Sequence, residues 1–513
     1  VTAPKDFSFF YLGACDIFAV RVILSSFVSM DMNFDEYCGY DATGLARLVS
    51  RGEVQAKELA RLAAKAVEAV NPALNAVIEV FSDRVAGLDE ASLPNGPFRG
   101  VPFFLKDLGP RQKGRRQDGG SRLTQGYVAD YSHFFTKKME DSGLNILGRT
   151  TCPEFGVTGT TESTLTGATA NPWDTSRIAG GSSGGSASIV AAGVVPMAHS
   201  NDGGGSTRIP ASICGNVGMK HSRGRISYSP DGCDLSFPLF SEGVNAHTVR
   251  DVAGFLDAVH GPAPGEPIPF CEPRRPFIEE VSQEPGQLRV AVCDGNWGPI
   301  PMHPDIAAEM QRVATLCEDA GHMVEMAIPA FDYDRYLQVF RALWCIDIAA
   351  MLDVEAAAMR RQVSLDTVEP MTLKMYESGR TASAAERLAV SAEMHVMSRQ
   401  LGDFFEAFDV LLTPTLAQAT PHLGSPADLQ HDEMSLEDWF TYVLNLIPYT
   451  PVNNMTGTPA VSLPLCKDPN GMPLGAHFMA PIGREDRLFN LAGQLEKVAP
   501  WAGRRPDCHV TSC

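Results

Sequence analysis

Three features of the chain stand out by residue type and spacing. Lys106 directly follows the apolar run 101–105 in VPFFLKDLG. A lysine closing a buried strand either reaches back to water or is kept there for its amine. The other two features are small-residue runs, GGSSGGSAS from Gly180 and NDGGGSTRIPAS from Asn201, whose serines Ser182 and Ser206 stand 24 residues apart. Glycines let backbone N–H groups come close to a ligand and take conformations closed to other residues. An isolated Gly/Ser run is most simply a flexible linker. These two are flanked by apolar segments, and linkers are not usually enclosed by core. A phosphate-cradling loop would need Gly-x-x-x-x-Gly-Lys-Ser/Thr, which neither run supplies. The segment 180–184 does satisfy G-x-S-x-G, the nucleophile elbow of α/β-hydrolases, with Ser182 as nucleophile and His477 as the downstream histidine. That elbow must follow a strand, and residues 171–178 (NPWDTSRI) do not read as one, so it stands as an alternative.

The elements that must position these residues alternate along the chain. After a capping Asp41, Leu45, Leu48 and Val49 recur at helical spacing, and a second helix through Leu59, Leu62, Ala63 and Ala66 is expected to stop at Asn71-Pro72. Buried-strand candidates are 76–81, 101–105, 146–147, 194–198, 288–293, 410–413 and 460–465, with helices such as 303–319 and 484–498 between them. Such alternation predicts an α/β protein, a single large domain with a twisted mixed sheet covered by helices on both faces. The Gly/Ser loops are expected together at one edge of that sheet. The Pro-rich run 261–269 reads as a surface connection inside one domain. Residues 7–28 are the most apolar stretch, but Asp16 and Arg21 interrupt it, which disfavours a membrane span. Residues 1–33 are read as an N-terminal extension, artificial or upstream, and 34–513 as the domain.

The composition agrees. With 513 residues, 44% apolar and 20% charged, the chain is a folded globular protein able to bury a large core. Lys+Arg 42 against Asp+Glu 61 leaves a net charge of −19, which repels nucleic-acid phosphate and anionic lipid, so neither nucleic acid nor membrane is an expected partner. The 12 cysteines form no C-x-x-C pair and no zinc spacing. They read as buried thiols in a reducing compartment, and a cytoplasmic location is expected.

LKD, GGSSGG and NDGGGSTRIPAS, in this order, strongly resemble the amidase signature family of serine hydrolases. The likeness extends over nearly all of 34–513 and includes GRTTCPEF at 148–155, DVLLTPT at 409–415 and TGTPAVSLPL at 456–465. GRIS at 224–227, GRED at 483–486 and PWAGRRP at 500–506 look closer to its 6-aminohexanoate cyclic dimer hydrolase-like subgroup. The resemblance implies the family's fold and makes Ser206 the nucleophile, Ser182 a bridging serine on a cis peptide bond and Lys106 the base. It assigns the oxyanion hole to the N–H groups of Gly203, Gly204, Gly205 and Ser206. It implies a small-molecule amide or carbamate substrate, no cofactor and no metal, and it leaves room for a homodimer. A glutamine-dependent amidotransferase subunit and an inactive binding protein on the same scaffold are the alternatives within the likeness.

Physical chemistry is consistent with these roles. Consecutive glycines offer unobstructed N–H donors, each key one worth roughly 3–4 kcal/mol to a tetrahedral oxyanion. Lys106 can accept a proton only when neutral, and burial behind Phe103, Phe104 and Leu105 would favour that form. The reaction rate should therefore climb from pH 6 to an alkaline plateau. Asp202 and Arg208 are expected to pair and shape the nucleophile's loop, His199 to be a satisfied core histidine, and the basic run Arg111, Lys113, Arg115 and Arg116 to be a solvated loop. Substrate-contacting candidates are Tyr127, Tyr131, Cys152, Phe155 and Thr158, with Tyr336 and Trp344; Glu162 is a further pocket candidate. As a group they are neutral or apolar, which favours uncharged amides. Lys220-His221-Ser222 and Gly109-Pro110 depart from the family's usual pattern and bear on substrate preference.

Overall fold

The computed structural model describes residues 32–233, 238–268, 270, 272–295, 297–298 and 301–512. The apolar stretch 7–28 lies outside the described residues.

Helix Ala56–Leu74 shows how the pattern becomes structure: Leu59, Leu62, Ala63, Ala66, Val67 and Val70 recur every three or four residues and are all buried. The helix does not stop at Asn71-Pro72 as expected. Pro72 sits in the final turn, where its missing N–H removes a single bond. The helix ends at Asn75, in the left-handed conformation at φ 46°, whose N–H donates to Asn71 O at 2.8 Å. The Asn71 side chain then starts the next strand, its Oδ1 accepting from the N–H groups of Ala76 and Val77 at 2.8 Å each.

Two sheets carry the site. In the smaller, Asn145–Thr150 lies between Val77–Val80, antiparallel to it, and Pro102–Lys106, parallel to it, with Lys106 opposite Thr150. The larger has eight strands in the order Met323–Met326, Arg289–Val292, Val410–Pro414, Pro473–Met479, Ala460–Lys467, Val217–Lys220, Glu242–Ala246 and Met197–Asn201. Its first three strands are parallel and all later pairs antiparallel. The single mixed α/β body matches the fold class expected from strand and helix alternation. Met197–Asn201 is an edge strand, and the second Gly/Ser run continues directly from it, placing the loops at the sheet edge. Lys106, at the end of the smaller sheet's strand, meets this edge through its N–H, which donates to His199 Nδ1 at 3.2 Å.

One reading of the sequence is corrected here. Asp174–Ile178 is a strand, paired with Ala170–Asn171, so a strand does precede the first Gly/Ser run. It forms a two-stranded ribbon outside the eight-stranded sheet, and its Asp, Thr and Ser leave no apolar signature. The helix after that run, Gly184–Ala191, consists of small residues and is wholly buried.

Candidate active site

Lys106 is the centre of the site. It is fully buried, and its Nζ lies 2.6 Å from Ser182 Oγ, 2.6 Å from Asn201 Oδ1 and 3.1 Å from Ser183 Oγ. Burial lowers its amine to about 8, against the opposing pull of Cys152, Glu242 and Asp202. At pH 7 about one molecule in ten then holds the neutral amine, against about one in several thousand for a solvated lysine. The Asn201 amide is oriented by its Nδ2, which donates to Leu108 O at 3.1 Å, so Oδ1 can only accept from Lys106. A neutral Lys106 that donates to Asn201 and Ser183 directs its remaining lone pair at Ser182. Behind it, His199 Nε2 meets Glu242 Oε2 at 2.8 Å, and burial holds the ring below its usual range; His199 is the satisfied core residue expected. The Gly181–Ser182 peptide is cis.

The loop that bears Ser206 is built around Asp202. Its Oδ1 accepts from Gly205 N at 2.7 Å and Arg208 Nη2 at 2.8 Å, and its Oδ2 from Arg208 Nε at 2.9 Å and Thr207 N at 3.2 Å. Burial alone would raise the carboxyl, but Arg208 and Asn454 hold it well below the usual range. The expected Asp202–Arg208 pair is present, and both are buried. Of the N–H groups expected to form an oxyanion hole, that of Gly205 is taken by Asp202, while those of Gly203, Gly204 and Ser206 have no protein acceptor among the described residues. Gly205 is needed for shape instead. Its φ is +124°, and a Cβ there would stand 2.3 Å from Thr450 Oγ1. The two loops are stitched together by Ser183 N donating to Ser206 O at 3.2 Å. His477 is far from the role an elbow would give it: its Nε2 lies 3.0 Å from Arg208 Nη1 and its Nδ1 3.1 Å from Thr413 Oγ1.

The Amidase family profile matches residues 58–489. The chain belongs to the amidase signature family. It is 37% identical over 481 residues to the 6-aminohexanoate-cyclic-dimer hydrolase of Paenarthrobacter ureafaciens, covering 91% of this chain and 96% of that one. A solved structure of 6-aminohexanoate cyclic dimer hydrolase complexed with substrate superposes with a TM-score of 0.83 at 34% identity, covering 92% of this chain and 99% of that one. A bacterial aryl acylamidase shares the fold, with a TM-score of 0.81 at 24% identity over 91% and 99% of the two chains.

Two cavities flank the centre of this amidase. The inner one, about 30 Å³, is lined by Ser206, Gly204, residues 156–159, Phe340, Trp344 and an apolar wall from Trp439 to Ile447. Phe240 and Trp344 press against Gly203 so closely that a Cβ there would lie 3.0 Å from one ring and 3.2 Å from the other. The outer one, about 220 Å³, opens beside Leu108 and Asn201. Of the predicted substrate residues, Tyr127 and Phe155 line the outer cavity and Thr158 and Trp344 the inner. The other predictions need correcting. Tyr131 lines neither cavity and hydrogen-bonds Asp231. Cys152 is fully buried near Lys106 and lines neither cavity, its thiol pushed up by desolvation. Tyr336 is core, and Glu162 braces the loop at Gly424 through a 2.7 Å bond.

The outer cavity is not neutral. Asp107, Asp231, Glu242, Asp347 and Glu355 line it, with Arg111 and His133. Arg111 is not the solvated loop residue expected: it lies 3.2 Å from Asp231 and 2.8 Å from Glu355. Its neighbours in the run pair outward, Arg115 with Asp83 and Arg116 with Asp118. GRIS and GRED meet through a buried Arg225–Glu485 pair at 2.9 Å. Asn201 is the residue sequence reasoning missed, although it opens the quoted NDGGGS motif.

Proposed function

We propose that this chain hydrolyses small amides through an acyl-enzyme on Ser206, with Ser182 relaying a proton to Lys106, and that residues 34–513 carry the activity as one domain. The observation that carries the reading is the 2.6 Å contact between a wholly buried Lys106 Nζ and Ser182 Oγ, at the mouth of the loop that bears Ser206.

Neutral Lys106 takes the Ser182 proton as Ser182 takes that of Ser206, and the Ser206 oxygen attacks the amide carbon. The negative charge on the former carbonyl oxygen is met by the free N–H groups of Gly203, Gly204 and Ser206. The relay then reverses and protonates the departing amine, which cannot leave as an anion. Water, deprotonated by the same relay, releases the acid. The inner cavity suits a compact apolar group next to the carbonyl; carbamates and anilides pass through similar tetrahedral intermediates.

Labelling with a fluorophosphonate followed by peptide mapping tests the reading. The adduct should sit on Ser206 and vanish in Ser206→Ala. An adduct on Ser182 lost with His477→Ala, or no adduct and no hydrolysis across aryl amides, esters and carbamates, would defeat it.

A further inference from the structure

The outer cavity is lined by a carboxylate one of whose oxygens has no hydrogen-bond partner among the described residues. Its other charged groups have partners: Arg111 pairs with both Asp231 and Glu355, Asp231 also meets His133 at 2.9 Å, and Glu242 meets His199 at 2.8 Å. Asp107 accepts from backbone N–H groups of Asp118 and Gly120. Asp347 differs. Only 4% exposed, it places Oδ1 3.6 Å from Arg387 Nη2, while Oδ2 is buried with no hydrogen-bond partner among the described residues.

Its position links it to the reacting centre. Helix Tyr333–Met359 presents Phe340 and Trp344 to the inner cavity and Asp347, Met351 and Glu355 to the outer one, a stripe at spacings of three and four. Trp344 touches the Gly203 loop and stacks on Phe240, with ring centroids 6.2 Å apart, and Asp347 follows one turn later, about 4.5 Å along the axis. A group bound at Ser206 that extends along this stripe reaches Asp347 in the cavity that the aromatic Phe240 and Tyr228 also line.

We propose that Asp347 is a specificity-determining residue, receiving a protonated primary amine carried by the substrate at the end remote from the scissile bond. This inference rests on the Ser206 reading for the direction in which substrate lies. A buried carboxylate needs donors, and a charged ammonium provides the strongest hydrogen bonds to it. Carboxylates outnumber cations on the cavity wall, and aromatic rings lining the same cavity also favour a cation. A neutral chain would leave Oδ2 unsatisfied, the situation in which a polar site discriminates most strongly. Burial raises the Asp347 carboxyl to about 7, and an arriving cation would favour its ionised form. The uncharged substrate expected from neutral lining residues is thereby confined to the group seated in the inner cavity.

Two measurements test this. Calorimetric titration of the protein with hexylammonium chloride and with 1-hexanol should show the amine binding about tenfold tighter or more. The kcat/KM ratio of N-(5-aminopentyl)acetamide to N-pentylacetamide should favour the amine to a similar degree, and both ratios should fall to about one in Asp347→Asn and partly recover in Asp347→Glu. Equal affinity of wild type for amine and alcohol would overturn the proposal. So would an Asp347→Asn protein of native Tm that keeps both ratios. If that variant does not fold, the wild-type comparison decides alone. Failure of the Ser206 reading looks different: neither acetamide is cleaved and no fluorophosphonate adduct forms, whatever the amine titration shows.

Discussion

Replacing Asn201 by aspartate exchanges the neutral acceptor facing Lys106 for a charged one of nearly equal volume. The native Oδ1 lies 2.6 Å from Nζ, in a pocket from which Lys106 is wholly excluded from water. A carboxylate there stabilises the ammonium and not the amine, and an opposite charge at such range shifts a titrating group by about 1–3 pH units. Starting from about 8, the Lys106 midpoint should move to about 9–11. Only the neutral amine can accept the Ser182 proton, so kcat/KM at pH 7 should fall about 10- to 1000-fold, the equivalent of about 1.4–4 kcal/mol. Much of the loss should be regained at alkaline pH. The assay is kcat/KM for an aryl amide from pH 6 to 10.5 in wild type, Asn201→Asp and Asn201→Ala, the last separating charge from loss of the bond. Wild type should rise to a plateau with its midpoint near 8. If Asn201→Asp keeps that midpoint and merely lowers the plateau, the rising limb does not report Lys106 and the reasoning fails.

Other perturbations separate the remaining parts of the site. Gly205→Ala should fold but lose about 100-fold or more in kcat, because the loop must move off Thr450 and its N–H donors with it; circular dichroism and steady-state kinetics check both halves. Asp202→Asn leaves Arg208 buried without its counter-charge and should lower stability by about 3–5 kcal/mol, read by urea unfolding, while His477→Ala should leave fluorophosphonate labelling on Ser206. Phe340→Ala enlarges the inner cavity and should shift kcat/KM from short toward branched or longer acyl groups, measured across an acyl-anilide series.

The residues proposed to do the chemistry were legible as candidates because their neighbours are so unusual: a lysine closing an apolar run and two Gly/Ser runs enclosed by core. The sheets were less so. Val217–Lys220, Glu242–Ala246 and Pro473–Met479 are buried strands written with glycine, lysine, asparagine and histidine, which hides both alternation and continuous apolar character. The polar ribbon at Asp174–Ile178 failed for the same reason. Asn201 was invisible as a Lys106 partner because only the meeting of two sheets brings residues 95 apart to 2.6 Å. Arg111 read as solvated because its partners, Asp231 and Glu355, lie 120 and 244 residues along the chain. That the Gly205 N–H is occupied by Asp202 needed the position of Asp202, which spacing alone does not give.

The central claim, that Ser206 forms the covalent intermediate by way of Ser182 and Lys106, is tested most directly by trapping that intermediate. Rapid acid quenching of a reaction with a 4-nitrophenyl ester, followed by intact mass and peptide mapping, should find one acyl group on Ser206. Its formation should slow severely in Ser182→Ala and Lys106→Met. An acyl group mapped to Ser182, or one formed on Ser206 at an undiminished rate without Lys106, would contradict the account.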